Sequence, residues 1–170
     1  MATPTRATVV QAPSRPSDDI SLKPSIFLGG TTSATLSGDW RRRLIASLAA
    51  RPVALLNPQR ADWDATWRED FSDPRWAEQV AWELDMQERA DVLVFLLHPV
   101  SDAPVSLLEL GLCVNDPGRK VVVCALDGFP RRGNVEAVCR RYGRELVGTE
   151  AELTDSVRAA LEACTAKDWS

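Results

Sequence analysis

Asp91-Val-Leu-Val-Phe-Leu-Leu97, followed closely by Pro104-Val-Ser-Leu-Leu-Glu-Leu-Gly111, decides the fold. The first run is apolar throughout and lacks the alternation of a half-exposed strand. It predicts a strand buried on both faces. The second run opens with proline, whose fixed φ suits the first turn of a helix. It carries a carboxylate, Glu109, about one turn in. A buried strand leading into a helix belongs to an α/β sheet. Ligands of such sheets bind in the crevice beyond the carboxyl ends of the strands. A carboxylate held there can attack a sugar carbon or take a proton.

The neighbouring segments repeat the pattern. Ser25-Ile-Phe-Leu-Gly-Gly30, Pro52-Val-Ala-Leu-Leu-Asn57, Lys120-Val-Val-Val-Cys-Ala-Leu126 and the short Glu145-Leu-Val147 read as four more strands. Helical spacing appears at Trp40, Leu44, Ile45 and Leu48, with Ser37 or Asp39 as cap. Further helices are predicted over 74–89, 104–115, 134–142 and 150–165. Five strands alternating with helices predict a flavodoxin-like, doubly wound parallel sheet covered on both faces. Residues 1–24 are rich in Pro, Ser, Thr and Ala and predict a disordered tail, leaving 25–170 as a single α/β domain.

Net charge is −4 over 170 residues, so no global field draws in a nucleic acid polymer or an anionic membrane. No apolar run approaches the ~20 residues that span a bilayer. The runs Arg41-Arg42-Arg43 and Arg131-Arg132 read as solvated surface. Cys113, Cys124, Cys139 and Cys164 form no CxxC pair, and the lone His98 completes no metal cluster. Cys113 and Cys124 fall in apolar runs and read as small core residues. Free thiols suit a reducing compartment, which predicts a cytoplasmic protein.

Several motifs carry two readings each. Gly29-Gly30-Thr31-Thr32-Ser33 ends the first predicted strand. Its free N–H groups could bind a phosphate or hydroxyl, or it could be a plain connection. Ser106-Leu-Leu-Glu109 is a capping box by spacing, with no chemistry required, or a site for the carboxylate. On the helix 74–89, Trp76, Ala77, Val80, Ala81 and Leu84 form one apolar stripe that predicts the core face. Gln79, Trp82 and Met86 fall opposite, and an exposed second apolar face predicts contact with another chain. Glu83 and Asp85 stand about 200° apart around that helix, so only one can face a given pocket. Trp63 and Trp67 lie in a loop, where they stack on a base or staple the loop down. His98, at the end of a strand, reads as incidental more readily than as catalytic.

Four segments, in order, resemble the nucleoside 2-deoxyribosyltransferase family, in particular a divergent branch of it. They are Ile26-Phe-Leu-Gly-Gly30, Asn57-Pro-Gln-Arg60, Trp82-Glu-Leu-Asp-Met-Gln-Glu-Arg-Ala-Asp91 and Ser106-Leu-Leu-Glu-Leu-Gly111, with Gly133-Asn-Val-Glu136 a fifth candidate. The resemblance implies cleavage or exchange of an N-glycosidic bond in a nucleoside or nucleotide. It makes Glu109 the nucleophile on the anomeric carbon and Glu83 the acid that protonates the base, with Asp85 nearby. With the readings above it gives a substrate-binding set of Gly29, Gly30, Thr31, Asn57, Trp63, Asp85, Ser106 and Asn134, and the resemblance implies that the last reaches a neighbouring subunit in a homo-oligomer. It requires no metal and no organic cofactor. Where relatives carry a tyrosine that holds the nucleophile, this chain has Phe27; where they carry an aspartate, it has Ala103. Related proteins hydrolyse nucleoside monophosphates. A nucleotide-binding module without catalysis and an NAD-cleaving hydrolase are the rival readings.

Overall fold

The computed structural model describes residues 6–17, 24–32 and 38–165. Its strands are β1 (Thr8–Gln11), β2 (Ser25–Gly30), β3 (Ala54–Asn57), β4 (Val92–Leu97), β5 (Lys120–Ala125) and β6 (Leu146–Val147). Its helices are α1 (Trp40–Leu48), α2 (Pro74–Arg89), α3 (Pro104–Val114), α4 (Arg132–Arg141) and α5 (Glu150–Thr165). The sheet order is β1-β3-β2-β4-β5-β6, with every pair parallel. From β3 to β6 this is the flavodoxin-like order, and the direction of winding reverses between β2 and β4.

Burial explains the uniform apolar runs. All six residues of β4 are buried, and they alternate between two cores. Leu93, Phe95 and Leu97 pack with Trp82 and Met86 of α2, Leu110 and Cys113 of α3, and Val135 of α4. Val92, Val94 and Leu96 pack on the other side with Trp40 and Leu44 of α1 and Val157 and Leu161 of α5. Cys113 and Cys124 are both buried free thiols, as their apolar setting predicts.

Three expectations are corrected. The sheet has six strands, because Thr8-Val-Val-Gln11, inside the stretch expected to be disordered, pairs with β3 as an edge strand. Two β-branched valines and a threonine favour an extended strand, and Val10 is buried. Residues 1–5 and 18–23 of the expected tail, and Ser33 and Ser37, lie outside the described residues.

Helix α2 is turned the other way from its apolar count. Gln79, Trp82, Met86 and Gln87 are the buried residues, while Leu84 is exposed. The Trp82 indole Nε1 donates to the Ser14 carbonyl at 2.8 Å, a partner that the N-terminal segment brings in. A buried indole needs such an acceptor.

Arg41, expected on the surface, is 1% exposed. It shares the α1 face of Leu44 and Leu48, three and seven residues on.

Candidate active site

The carboxyl end of β2 is fixed from below by Arg41. Its Nε donates to Leu28 O at 3.0 Å, and its two terminal nitrogens donate to Thr31 O at 2.8 Å and Gly30 O at 3.0 Å. The Trp40 indole adds a bond to Thr31 O at 3.1 Å. Asp39 caps α1 by accepting from Arg41 N, which sets the helix start. The expected free N–H groups are partly committed: Thr31 N donates to Leu96 O at 2.8 Å. The Thr31 hydroxyl accepts from His98 N at 3.0 Å, bracing β2 against β4.

Glu109 stands on α3, which packs against β2 and β4, and is 9% exposed. The capping box does not form. Helix α3 starts at Pro104, with Ala103 at the cap in a left-handed conformation and without a side-chain cap bond. Proline presets the first helical turn, so Ser106 and Glu109 both lie inside the helix. The Glu109 carboxylate accepts instead from Gln87 Nε2 at 2.6 Å, across the α2–α3 boundary.

Glu83 belongs to the same electrostatic group. It lies on the inward side of α2 and accepts from Gln79 Nε2 at 2.8 Å. Burial raises its pKa, against the Gln79 bond and the Arg41 charge. Burial, and then repulsion from Glu83, push Glu109 up to about 7, against the Gln87 bond and Arg41. Both shifts are upward, and the larger falls on Glu109. Burial lowers Arg41 to about 10, while Asp39, Glu109 and Glu83 favour its charged form. A proton on Glu83 would relieve the repulsion that it exerts on Glu109.

Gln79 is buried, and its Nε2 has two acceptor partners, Glu83 and Pro58 O at 2.7 Å. Turning the amide over would set oxygen against oxygen. Its Oε1 therefore remains a buried acceptor without a partner among the described residues, a state that carries a cost.

The remaining candidates separate. Asp85 is exposed and pairs with Arg15, so the two α2 acids do face different ways. Asn57 is buried, but its amide donates to Gln11 Oε1 at 3.0 Å and its oxygen accepts from Gln59 N at 3.2 Å. Ser106 is buried one turn before Glu109. Asn134 is exposed on α4. Trp63 is half-exposed and leans on Trp67 with ring centroids 4.5 Å apart. Trp67 is buried beneath the guanidinium groups of Arg60 and Arg75, 4.8 and 5.2 Å away. The stapling reading thus fits Trp67. His98 Nδ1 accepts from Val100 N at 3.0 Å within its own turn.

Sequence reasoning missed Arg41, Gln79 and Gln87. The spacing of Arg41 from Leu44 and Leu48 was a usable signal. The two glutamines lie on the helical face of Trp82 and Met86, which reads as polar outside rather than as a lined interior.

A cavity of about 390 Å³ opens at the amino end of β5, away from these carboxylates. The cations around it bond to main-chain carbonyls: Lys120 to Ala160 O, Arg144 to Val114 O and Arg119 O. Buried acids are absent there, so the carboxyl end of the sheet is the stronger candidate. No three His, Cys, Asp or Glu side chains among the described residues are grouped to hold a metal. No described helix is long and apolar enough to cross a membrane.

A flavodoxin-like parallel sheet with a buried Glu109 and a partly buried Glu83 on its flanking helices defines the class of the protein as doubly wound α/β. Residues 23–129 match the family described as nucleoside 2-deoxyribosyltransferase like, and the chain belongs to that family. The match takes in β2 through β5 and both Glu83 and Glu109. No curated protein matches the chain.

Proposed function

We propose that the protein cleaves or exchanges the N-glycosidic bond of a nucleoside, deoxynucleoside or nucleotide through a glutamyl–enzyme intermediate. Glu109 is the nucleophile and Glu83 the general acid. The observation that carries this reading is a buried Glu109 and a partly buried Glu83 whose proton affinities are both raised by burial, that of Glu109 also by Glu83, with Arg41 acting on both.

The reactive form is the minority one in which the proton sits on Glu83 while Glu109, the more strongly raised of the two, is ionised with help from the Gln87 bond and the Arg41 charge. The Glu109 carboxylate attacks C1′ and forms an ester bond as the C1′–N bond breaks. The bonding electrons leave with the base, which takes the proton from Glu83. A second base or water then attacks C1′, releases Glu109 and returns a proton to Glu83. Two displacements retain the configuration at C1′. The carboxyl end of β2, Gly29 to Thr31, supports the sugar. A base N–H answers the buried Gln79 Oε1 beside Glu83, and Trp63 is the ring available to cover the base. No metal or organic cofactor enters these steps.

The rival module, which binds a nucleotide without turnover, draws support from how little of Glu109 is exposed. Incubation with nucleosides, deoxynucleosides, their monophosphates and NAD, with and without a second base, distinguishes the readings by chromatography. Free or exchanged base that disappears in Glu109→Gln supports catalysis. Binding without turnover across the set supports the module.

We also propose a homo-oligomer, cytoplasmic and independent of membrane. The support is an apolar outer surface on two adjacent helices: Leu84 of α2 with Val105, Leu108 and Leu112 of α3, all exposed. In such an assembly the exposed Asn134 is available to a neighbouring pocket.

A further inference from the structure

We propose that Gln87 is a positioning residue for Glu109, and that the Cys113 thiol sets the direction in which the Gln87 amide points. The proposal rests on Glu109 being the reacting carboxylate.

Gln87 is 3% exposed, on the α2 face that packs against the sheet. A buried amide is costly unless both ends are bonded. Its Nε2 donates to Glu109 Oε1 at 2.6 Å, and its Oε1 accepts from Cys113 Sγ at 3.6 Å. Glu109 and Cys113 are four residues apart on α3, so one helical face presents both to the same side chain. The main chain of Gln87 is held as well, since Arg119 donates to its carbonyl oxygen at 2.7 Å.

The two ends of the amide are not equivalent. An ionised carboxylate only accepts, and a protonated thiol is a weak donor. Burial raises the pKa of Cys113, which keeps it a donor. The amide therefore points its NH2 at Glu109 and its oxygen at sulfur. Turned over, it would set oxygen against the Glu109 oxygen, tolerable only if Glu109 were protonated. The chain Cys113–Gln87–Glu109 thus favours the ionised, nucleophilic form and holds it in one orientation. The charged groups acting on Glu109 are Glu83 from α2 and Arg41 from α1. Glu83 opposes ionisation and Arg41 assists it. Gln87 adds a directed bond on one oxygen, which a distant charge does not supply.

The test is the titration of Glu109 in the full-length protein, followed by carbon-13 NMR of glutamate carboxyls and assigned with Glu109→Gln. Gln87→Met keeps the length and removes the donor. It should move the Glu109 midpoint upward by about one pH unit, the usual scale for a lost charge-assisted bond. The acid limb of the pH–activity profile should move with it. Cys113→Ala should give a smaller upward shift, and Cys113→Ser, which restores a donor, should return the midpoint to the wild-type value. A wild-type midpoint in folded Gln87→Met overturns the proposal. If Gln87→Met does not fold, an unchanged midpoint in Cys113→Ala overturns the role of the thiol. The shifts need no turnover. A moved midpoint in a protein without N-glycosidic activity would sink the catalytic reading and leave the Gln87–Glu109 coupling standing.

Discussion

Gly30 and Leu96 approach so closely that a Cβ on Gly30 would stand 2.1 Å from the Leu96 carbonyl oxygen. Both groups are main chain in adjoining strands, so neither can swing aside. Gly30 also has φ +114°, where a side chain is strained. Gly30→Ala should cost at least about 2 kcal/mol, read as a lower urea midpoint. Gly133→Ala, where a Cβ meets nothing within 4 Å, is the control and should be neutral or slightly stabilising. Equal midpoints for the two variants would mean that the β2–β4 approach yields easily.

Glu109→Gln should abolish turnover, because the amide cannot form the ester. Stability should respond to pH with a definite sign. Glu109 rises from its ordinary 4.5 to about 7 on folding. The folded state thus binds more protons than the unfolded state in that window. Wild-type stability falls as pH climbs from about 4.5 through 7. At 1.36 kcal/mol per pH unit the full effect is roughly 3 kcal/mol. Glu109→Gln should lack this fall and exceed the wild type in urea stability at pH 8. A variant less stable than wild type at pH 8 contradicts the buried-charge account.

Glu83→Ala should slow the release of poor leaving bases more than good ones, since protonation matters most for a poor leaving group. Asp85→Ala should leave the rates near wild type, because Asp85 is paired with Arg15 on the exposed side of α2. A series of bases of graded basicity, assayed by chromatography, reads the difference. The reverse ranking would transfer the acid role to Asp85.

Arg41→Lys keeps a charge but presents one compact ammonium where a planar fork meets three carbonyls. Buried carbonyls left unpaired cost about 1–3 kcal/mol, so the midpoint in urea should drop by that order. Lysine near Glu109 still opposes its protonation, so the acid limb of activity should move little. A stability equal to wild type would show that the carbonyls find other donors.

What was legible in the chain divides along physical lines. The boundaries of α2 follow from Asp73 as cap and Pro74 at the first turn, both local effects. Its facing does not, because two stripes competed. The one with more apolar residues lost to the one whose Trp82 finds an acceptor in Ser14, a contact 68 positions away. Hydrophobic count cannot register such a partner. The same misreading hid Gln79 and Gln87, since polar residues on an inward face mark a lined site rather than a solvated one. Thr8–Gln11 was lost because the prolines and serines that flank it dominate a composition window while the four strand residues are few. Glu109 and Glu83 were legible as candidates from their places after and before β4. The Gln87 bond to Glu109 and the Arg41 charge acting on both acids arise only when three helices meet.

That inversion of α2 also moves the surface on which association should depend. Trp82 and Met86 are both fully buried within the chain, so Trp82→Glu should unfold the protein rather than separate subunits. Leu108 and Leu112 are 66% and 61% exposed on α3, with Val105 at 60% and Leu84 of α2 at 43%. The two helices cover the same face of the sheet, and Val105, Leu108 and Leu112 recur at helical spacing on α3. Burying a large apolar side chain contributes about 1.5–3 kcal/mol, and several together suffice for a self-complementary contact. A two-fold dimer or a multiple of it is the simplest closed arrangement. Leu108→Glu combined with Leu112→Glu should therefore give a folded monomer by light scattering, with a wild-type circular dichroism spectrum. A wild type already monomeric at micromolar concentration would remove the need for a partner at this surface and leave its apolar residues simply solvated.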